Sequence, residues 1–361
     1  MNEYLFPHRL TRRDFCRVTA AGAAAGLTFG GARAAAATAP VKFGSGKYTF
    51  TLDEAWGRLP QGMVYGYGCA VVVDGRDRVY VTMRSTNPSV AIFDKDGKLL
   101  ETWGKEFAER VGLQNPEQVL LTAHGLYWSK EGDNECLYWT ENGDGPKRGP
   151  RIGARVYKTD LNGKVLYTIG NVAKESSTSQ KFAFDNPTDV AVAPNGDIYV
   201  VDGYGNQLLY RFDKNFKLLQ KAGGPGRAHG QFATCHGVWV RTLGKEPEIY
   251  VADRANNRVE VYSLDLKYRR SIGDFRLPCC FYQHAGMLYV PEMAGRVTIL
   301  DPDDKIVARL GTMEIFKVEE IAKHPDKFVA PHALTLASNG DLYVIEWLHF
   351  ARPRRLRHTP A

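Results

Sequence analysis

The sequence predicts an all-β chain closed into a six-bladed β-propeller, and three observations carry that prediction. One unit recurs along residues 40–361: a short apolar strand, a polar turn with glycine, then an aliphatic-Tyr-Val strand ending in an acidic residue. A third strand and an Asp-x-x-Gly/Lys hairpin follow in most copies. The aliphatic-tyrosine signature appears six times, at spacings of about 40 to 60 residues, which suits four-stranded blades that bury their faces only against neighbours. Finally, Lys47-Tyr48-Thr49-Phe50-Thr51-Leu52 reads as an orphan strand ahead of the first repeat. The last copy has too little chain after Tyr343 for its own outer strand, so the orphan is expected to complete it and remove two sheet edges.

The six signatures are Val79-Tyr80-Val81, Leu137-Tyr138-Trp139, Ile198-Tyr199-Val200, Ile249-Tyr250-Val251, Leu288-Tyr289-Val290 and Leu342-Tyr343-Val344. Five carry an acid three residues after the tyrosine: Glu141, Asp202, Asp253, Glu292 and Glu346. The clearest copy spans residues 186–203, where Asn195-Gly196 between two alternating runs is a strong hairpin signal.

The first 39 residues stand apart and are expected to be an export signal. Thr11-Arg12-Arg13-Asp14-Phe15 carries paired arginines of the twin-arginine type. A weakly apolar Ala/Gly-rich stretch follows over residues 18–31, and small-x-small cleavage sites lie near residues 35–39. Such a signal implies a bacterial protein exported folded through the twin-arginine (Tat) machinery to the periplasm or the cell exterior. Removing it takes five arginines against Glu3 and Asp14, so the net charge falls from +7 to +4. Part of the remainder is the C-terminal group Arg352, Arg354, Arg355 and Arg357, which makes the basic pI weak support for a nucleic-acid partner. No stretch of residues 40–361 has the roughly 18 consecutive apolar residues of a membrane span. Cys16 leaves with the signal, and the odd set Cys69, Cys136, Cys235, Cys279 and Cys280 leaves at least one thiol unpaired.

A propeller carries equivalent positions of each repeat around one axis. The residue at the entrance to each innermost strand is Cys69, His124, Thr188, His236, Cys279 and His332. The histidines fall on alternate blades, about 120° apart in a six-fold ring, so three imidazoles can converge on one metal ion with a position left open. The remaining histidines of residues 40–361, His229, His284, His324, His349 and His358, lie outside this register. A second tier just beyond each central strand supplies Arg84, Tyr204 and Arg254, whose repeat equivalents include Asn142, Met293 and Trp347. Two guanidinium groups and a phenol beside a cation make an anion site with a proton-transfer group.

These residues resemble peptidyl-α-hydroxyglycine α-amidating lyase and its bacterial relatives among propellers of NHL-type repeats. The resemblance covers residues 47 to about 350 and is carried by Ala123-His124-Gly125-Leu126, Asp202-Gly203-Tyr204, His236-Gly237, Ala252-Asp253-Arg254 and Pro331-His332-Ala333. It implies that His124, His236 and His332 bind zinc, that Tyr204 is the base, and that Arg254 and Arg84 bind the substrate carboxylate. It also implies a peptidylamidoglycolate lyase-like activity, cleaving the N–C bond of an α-hydroxyglycine-like carbinolamide to an amide and glyoxylate. Two departures matter. The family's acidic calcium ligand after the third histidine is Ala333 here, so calcium is not carried over, and its cysteine after the tyrosine is Gly205. No copper monooxygenase domain accompanies the chain, so a small-molecule substrate bearing a carboxylate stands beside a peptide. A metal-dependent hydrolase such as a lactonase, and a non-catalytic periplasmic binding or scaffold propeller, are the alternative readings.

Overall fold

The computed structural model describes residues 39–113, 115–142, 154–170, 179–180, 182–314 and 316–360. The chain divides into a unit of residues Met1–Ala39 and a unit of residues Pro40–Ala361. The expected export signal lies outside the described residues, and everything below concerns the second unit.

Among the described residues the strands form six sheets, each built outward from an innermost strand. The innermost strands are Tyr67–Val73, Leu126–Glu131, Asp189–Val192, Cys235–Arg241, Tyr282–His284 and Pro331–Leu336. Each pairs antiparallel with the strand that carries the tyrosine signature. The six-bladed propeller expected from the repeat is the observed fold.

The signature tyrosines recur because they join blades. All six are buried. Four hydroxyls donate to the outer hairpin of the following blade: Tyr80 to the Leu161 carbonyl, Tyr199 to the Leu264 carbonyl, Tyr250 to Asp304 and Tyr343 to the Lys95 carbonyl. In these four the ring thereby fills the hydrophobic space between sheets and satisfies its one polar atom, whereas the Tyr138 hydroxyl donates to Glu131 within its own blade. The acids after the tyrosines are fully buried too. Asp202 accepts the backbone N–H groups of Asp185 and Asn186, Asp253 that of Ala233, and Glu346 those of Val329 and Ala330. Each therefore pins the segment that leads into its own innermost strand. The outer Asp hairpins are Asx turns: Asp94, Asp160, Asp213 and Asp301 each accept N–H groups two and four residues on.

The sixth blade is completed from both ends of the unit. Phe50–Asp53 pairs antiparallel with Arg354–His358, with Leu52 opposite Leu356. The closing strand thus starts at Phe50, three residues later than expected, because Gly46–Tyr48 forms a 3₁₀ turn that buries Tyr48. The C-terminal arginines are no solvated tail. Arg355 forks onto Asp341 at 2.7 and 3.0 Å, Arg357 reaches Asp53 at 2.7 Å, and Arg354 lies between the rings of Phe43 and Phe328. The charge that raises the pI is spent in part on ring closure.

Candidate metal centre and active site

The entrance residues meet at the axis. His124, His236 and His332 are buried, with ring centroids 4.8 to 5.1 Å apart and planes edge to face. One nitrogen from each lies within 4.8 Å of the others, and this is the set among the described residues able to hold a metal ion. The intervening blades supply what orients them. Nδ1 of His124 lies 2.7 Å from the Thr188 carbonyl, Nδ1 of His236 lies 2.8 Å from that of Cys279, and Nδ1 of His332 lies 2.6 Å from that of Cys69. A carbonyl only accepts, so each Nδ1 carries the proton and each Nε2 turns its lone pair to the axis. The alternation of histidine and non-histidine is a three-fold device: one blade gives the ligand, the next fixes its tautomer.

Glycine makes the device fit. A Cβ on Gly237 would sit 2.2 Å from the Cys279 carbonyl oxygen, and one on Gly125 would sit 2.7 Å from that of Thr188. These are two of the three acceptors just named, so the residue after His124 and His236 must leave the adjacent blade room to approach, while His332 is followed by Ala333.

Three lone pairs that face one another are unfavourable without a cation or proton donors among them. Burial holds His124 and His236 well below the ordinary histidine value, helped at His124 by His332, Arg84 and Arg254 and at His236 by Arg254, His332 and His124. Burial also takes His332 down to about 3, with Arg254 and Arg84 adding to the fall. Neutral ligands of this kind suit a divalent metal. The Tyr204 hydroxyl stands 3.3 Å from Nε2 of His124 and 3.1 Å from that of His236 but has one proton to give, and Nε2 of His332 has no protein partner. The donor set fits a metal ion.

The second tier forms above the histidines. Tyr204 is held by its loop: Asp202 fixes the preceding segment, Asn206 returns to Asp202 at 3.1 Å, and the Tyr204 N–H donates to the Asn186 carbonyl. A Cβ on Gly205 would meet Asp185 Cβ at 2.4 Å, which explains why no larger side chain stands there. Arg254 donates from Nη1 to the Tyr204 hydroxyl at 3.1 Å and lies over its ring. Burial raises the phenol's pKa, while Arg254 and Arg84 oppose that rise. Arg84 donates to Asn142 at 2.6 Å and lies over the Trp347 ring, and Asn142 in turn donates to the Pro187 carbonyl. Met293 accepts from Arg254. The repeat equivalents to which the sequence gave no role, Asn142, Met293 and Trp347, are thus the groups that hold the two arginines. All six candidate residues come together. The five cysteines of residues 40–361 are free thiols, and Cys69 and Cys279 serve the site through their carbonyls.

On the other side of the histidines the axis opens into a cavity of about 730 Å³, lined by the innermost strands and containing the Asp189 carboxyl. Tyr204, Arg84 and Arg254 are not among its lining residues, so the second tier stands outside this cavity.

The NHL repeat family matches residues 184–212, the inner part of the third blade. The fold is a six-bladed propeller that carries an NHL repeat. This propeller is 27% identical over 231 residues to NHL repeat-containing protein 3 of Homo sapiens, covering 63% of this chain and 60% of that protein. It is 26% identical over 263 residues to peptidyl-alpha-hydroxyglycine alpha-amidating lyase 2 of Drosophila melanogaster, covering 70% of this chain and 55% of the relative. The chain therefore spans a little over half the length of these relatives. Among solved structures, a gluconolactonase of Xanthomonas campestris superposes with a TM-score of 0.58 at 12% identity, over 90% of this chain and 96% of its own. Virginiamycin B lyase of Staphylococcus aureus gives 0.51 at 14% identity, over 81% and 95%. These two likenesses speak for the fold.

Proposed function

We propose that this propeller is a zinc-dependent lyase that cleaves the N–C bond of an α-hydroxyglycine-like carbinolamide, giving an amide and glyoxylate. The observation that carries the reading is the Tyr204 hydroxyl, in hydrogen-bond reach of two histidines and of Arg254 at once. The relatives named as amidating lyases support it. His124, His236 and His332 would hold the zinc ion, which would supply Lewis-acid polarisation of the substrate hydroxyl. As the phenolate, favoured by Arg254, Arg84 and a nearby cation, Tyr204 would take the hydroxyl proton as the carbonyl of glyoxylate forms and the N–Cα electron pair leaves with the amide nitrogen, which gains a proton. Arg254 beside it binds the carboxylate, and Arg84 shares that anion and steadies the charge that develops. Neither arginine forms an ion pair with a protein carboxylate among the described residues, which keeps both available to a substrate anion. Export through the twin-arginine route to the periplasm or exterior belongs to the same proposal and rests on Arg12-Arg13 and residues 18–31.

Two measurements on the purified mature chain test this. Metal analysis should find about one zinc per chain, lost in His236→Ala; a well-folded sample without metal would sink any metalloenzyme reading. Incubation with α-hydroxyhippurate should then release glyoxylate. Zinc without glyoxylate, but with hydrolysis of a lactone, would move the assignment to a hydrolase.

A further inference from the structure

We infer that the rim between the first and sixth blades is a subsite for an aromatic acyl group. Trp347 is the centre of a continuous ledge. Its ring lies 5.1 Å from the His332 ring at 31° and 5.1 Å from the Tyr67 ring at 34°. The Arg84 guanidinium lies over it at 5.4 Å. Tyr67 and Arg84 are directly paired across neighbouring strands, so the ledge is fixed by sheet register as well as by tilted ring contacts. It begins at a metal-ligand candidate and ends in solvent, with Tyr67 43% exposed. An exposed tyrosine ring tilted against a half-buried tryptophan offers an aromatic surface whose outer end stays open to solvent among the described residues.

Its position selects the occupant. Tyr204 and Arg254 belong to the third and fourth blades, while Tyr67 and Trp347 belong to the first and sixth, across the axis from them. A carbinolamide whose carboxylate lies between Arg254 and Arg84, with its hydroxyl at the three histidines, has the ledge beside Arg84 within reach of its acyl end. The inference rests on the lyase reading for that orientation only. The substrate class it names is an N-aroyl, or similarly flat and apolar N-acyl, α-hydroxyglycine, in preference to one with a short aliphatic acyl group.

Binding of substrate analogues tests the subsite without turnover. Hippurate and N-acetylglycine share the carboxylate and amide, lack the hydroxyl, and differ in the acyl group alone. Calorimetric titration of the metal-loaded protein should show hippurate binding about threefold to tenfold more tightly. Tyr67→Ala should bring that ratio to about one, whereas Tyr67→Phe should keep it. Equal affinities in the parent protein, no detectable binding of hippurate, or a preference that survives Tyr67→Ala in a variant with an unchanged circular dichroism spectrum would each overturn the subsite. A preference for hippurate without glyoxylate release from α-hydroxyhippurate would leave the subsite standing and remove the lyase reading, so the two fail separately.

Discussion

Nδ1 of His124 and the carbonyl oxygen of Thr188 lie 2.7 Å apart across the joint between the second and third blades. The contact ties the direction of a metal-ligand candidate to the spacing of two sheets. Whatever widens that joint turns the imidazole, and the same holds for His236 with Cys279 and His332 with Cys69.

Gly125→Ala and Gly237→Ala are therefore expected to do double damage. The added Cβ must displace the Thr188 or Cys279 carbonyl, which overpacks the joint by about 1–3 kcal/mol. It also misdirects the ligand, for which a loss of roughly 10- to 100-fold in zinc affinity is expected. Urea unfolding and a competitive chelator titration read the two effects. A variant that lost stability but kept its zinc affinity would show that the carbonyl contact does not set the ligand's direction.

Tyr204→Phe should keep the zinc and lose turnover by about 10²- to 10⁴-fold, the range of a single positioned proton-transfer group. Glyoxylate release under saturating substrate measures it. Full activity would remove Tyr204 as the base.

Asn142→Ala should act through Arg84, which it holds at 2.6 Å. The guanidinium would stay but lose its direction, so KM for a carboxylate substrate should rise several-fold with the zinc content unchanged. Asn142→Asp should not restore it, because its carboxylate would pair with Arg84 in competition with the substrate anion and could no longer donate to the Pro187 carbonyl. A fall in kcat alone would place Asn142 elsewhere in the reaction.

How much of this was legible in the sequence follows from how each part is encoded. The histidines, Arg84, Tyr204 and Arg254 could be found because a repeat puts side-chain identity into register, and the register is the geometry. The tautomer-fixing carbonyls of Cys69, Thr188 and Cys279 left no such trace, since any residue supplies a carbonyl. Asn142, Met293 and Trp347 were visible as positions but had no evident task, because their contacts run between blades and each depends on a neighbour about 40 residues or more away or across the ring closure. The strand at Phe50–Asp53 was readable as apolar chain without a partner, and its late start was not, because burial of Tyr48 in a 3₁₀ turn is a packing outcome.

Asp189 gives a pH dependence. Its carboxyl accepts the Val238 N–H at 3.0 Å, and burial lifts its pKa from 3.8 to about 7. The folded chain then holds this proton more tightly than the unfolded chain does. The associated stability is fully present below pH 3.8 and is lost as pH rises through about 7. Asp189→Asn, which keeps an acceptor for Val238, should gain on the parent between pH 5 and pH 8 by on the order of 1–2 kcal/mol, a figure reduced because the channel admits water. Urea midpoints of metal-free protein at the two pH values check it; an equal difference at both would mean the carboxyl titrates as it does in solvent.

The sheet that carries His332 also contains Phe50–Asp53 and Arg354–His358, the two ends of the propeller's chain. A nascent chain can present His124 and His236 long before it can present the third imidazole in place. Only a finished circle brings all three together, so under the proposed metal binding a filled centre would mark a closed ring. A chain cut short at either end would then be expected to lose the ion along with the blade.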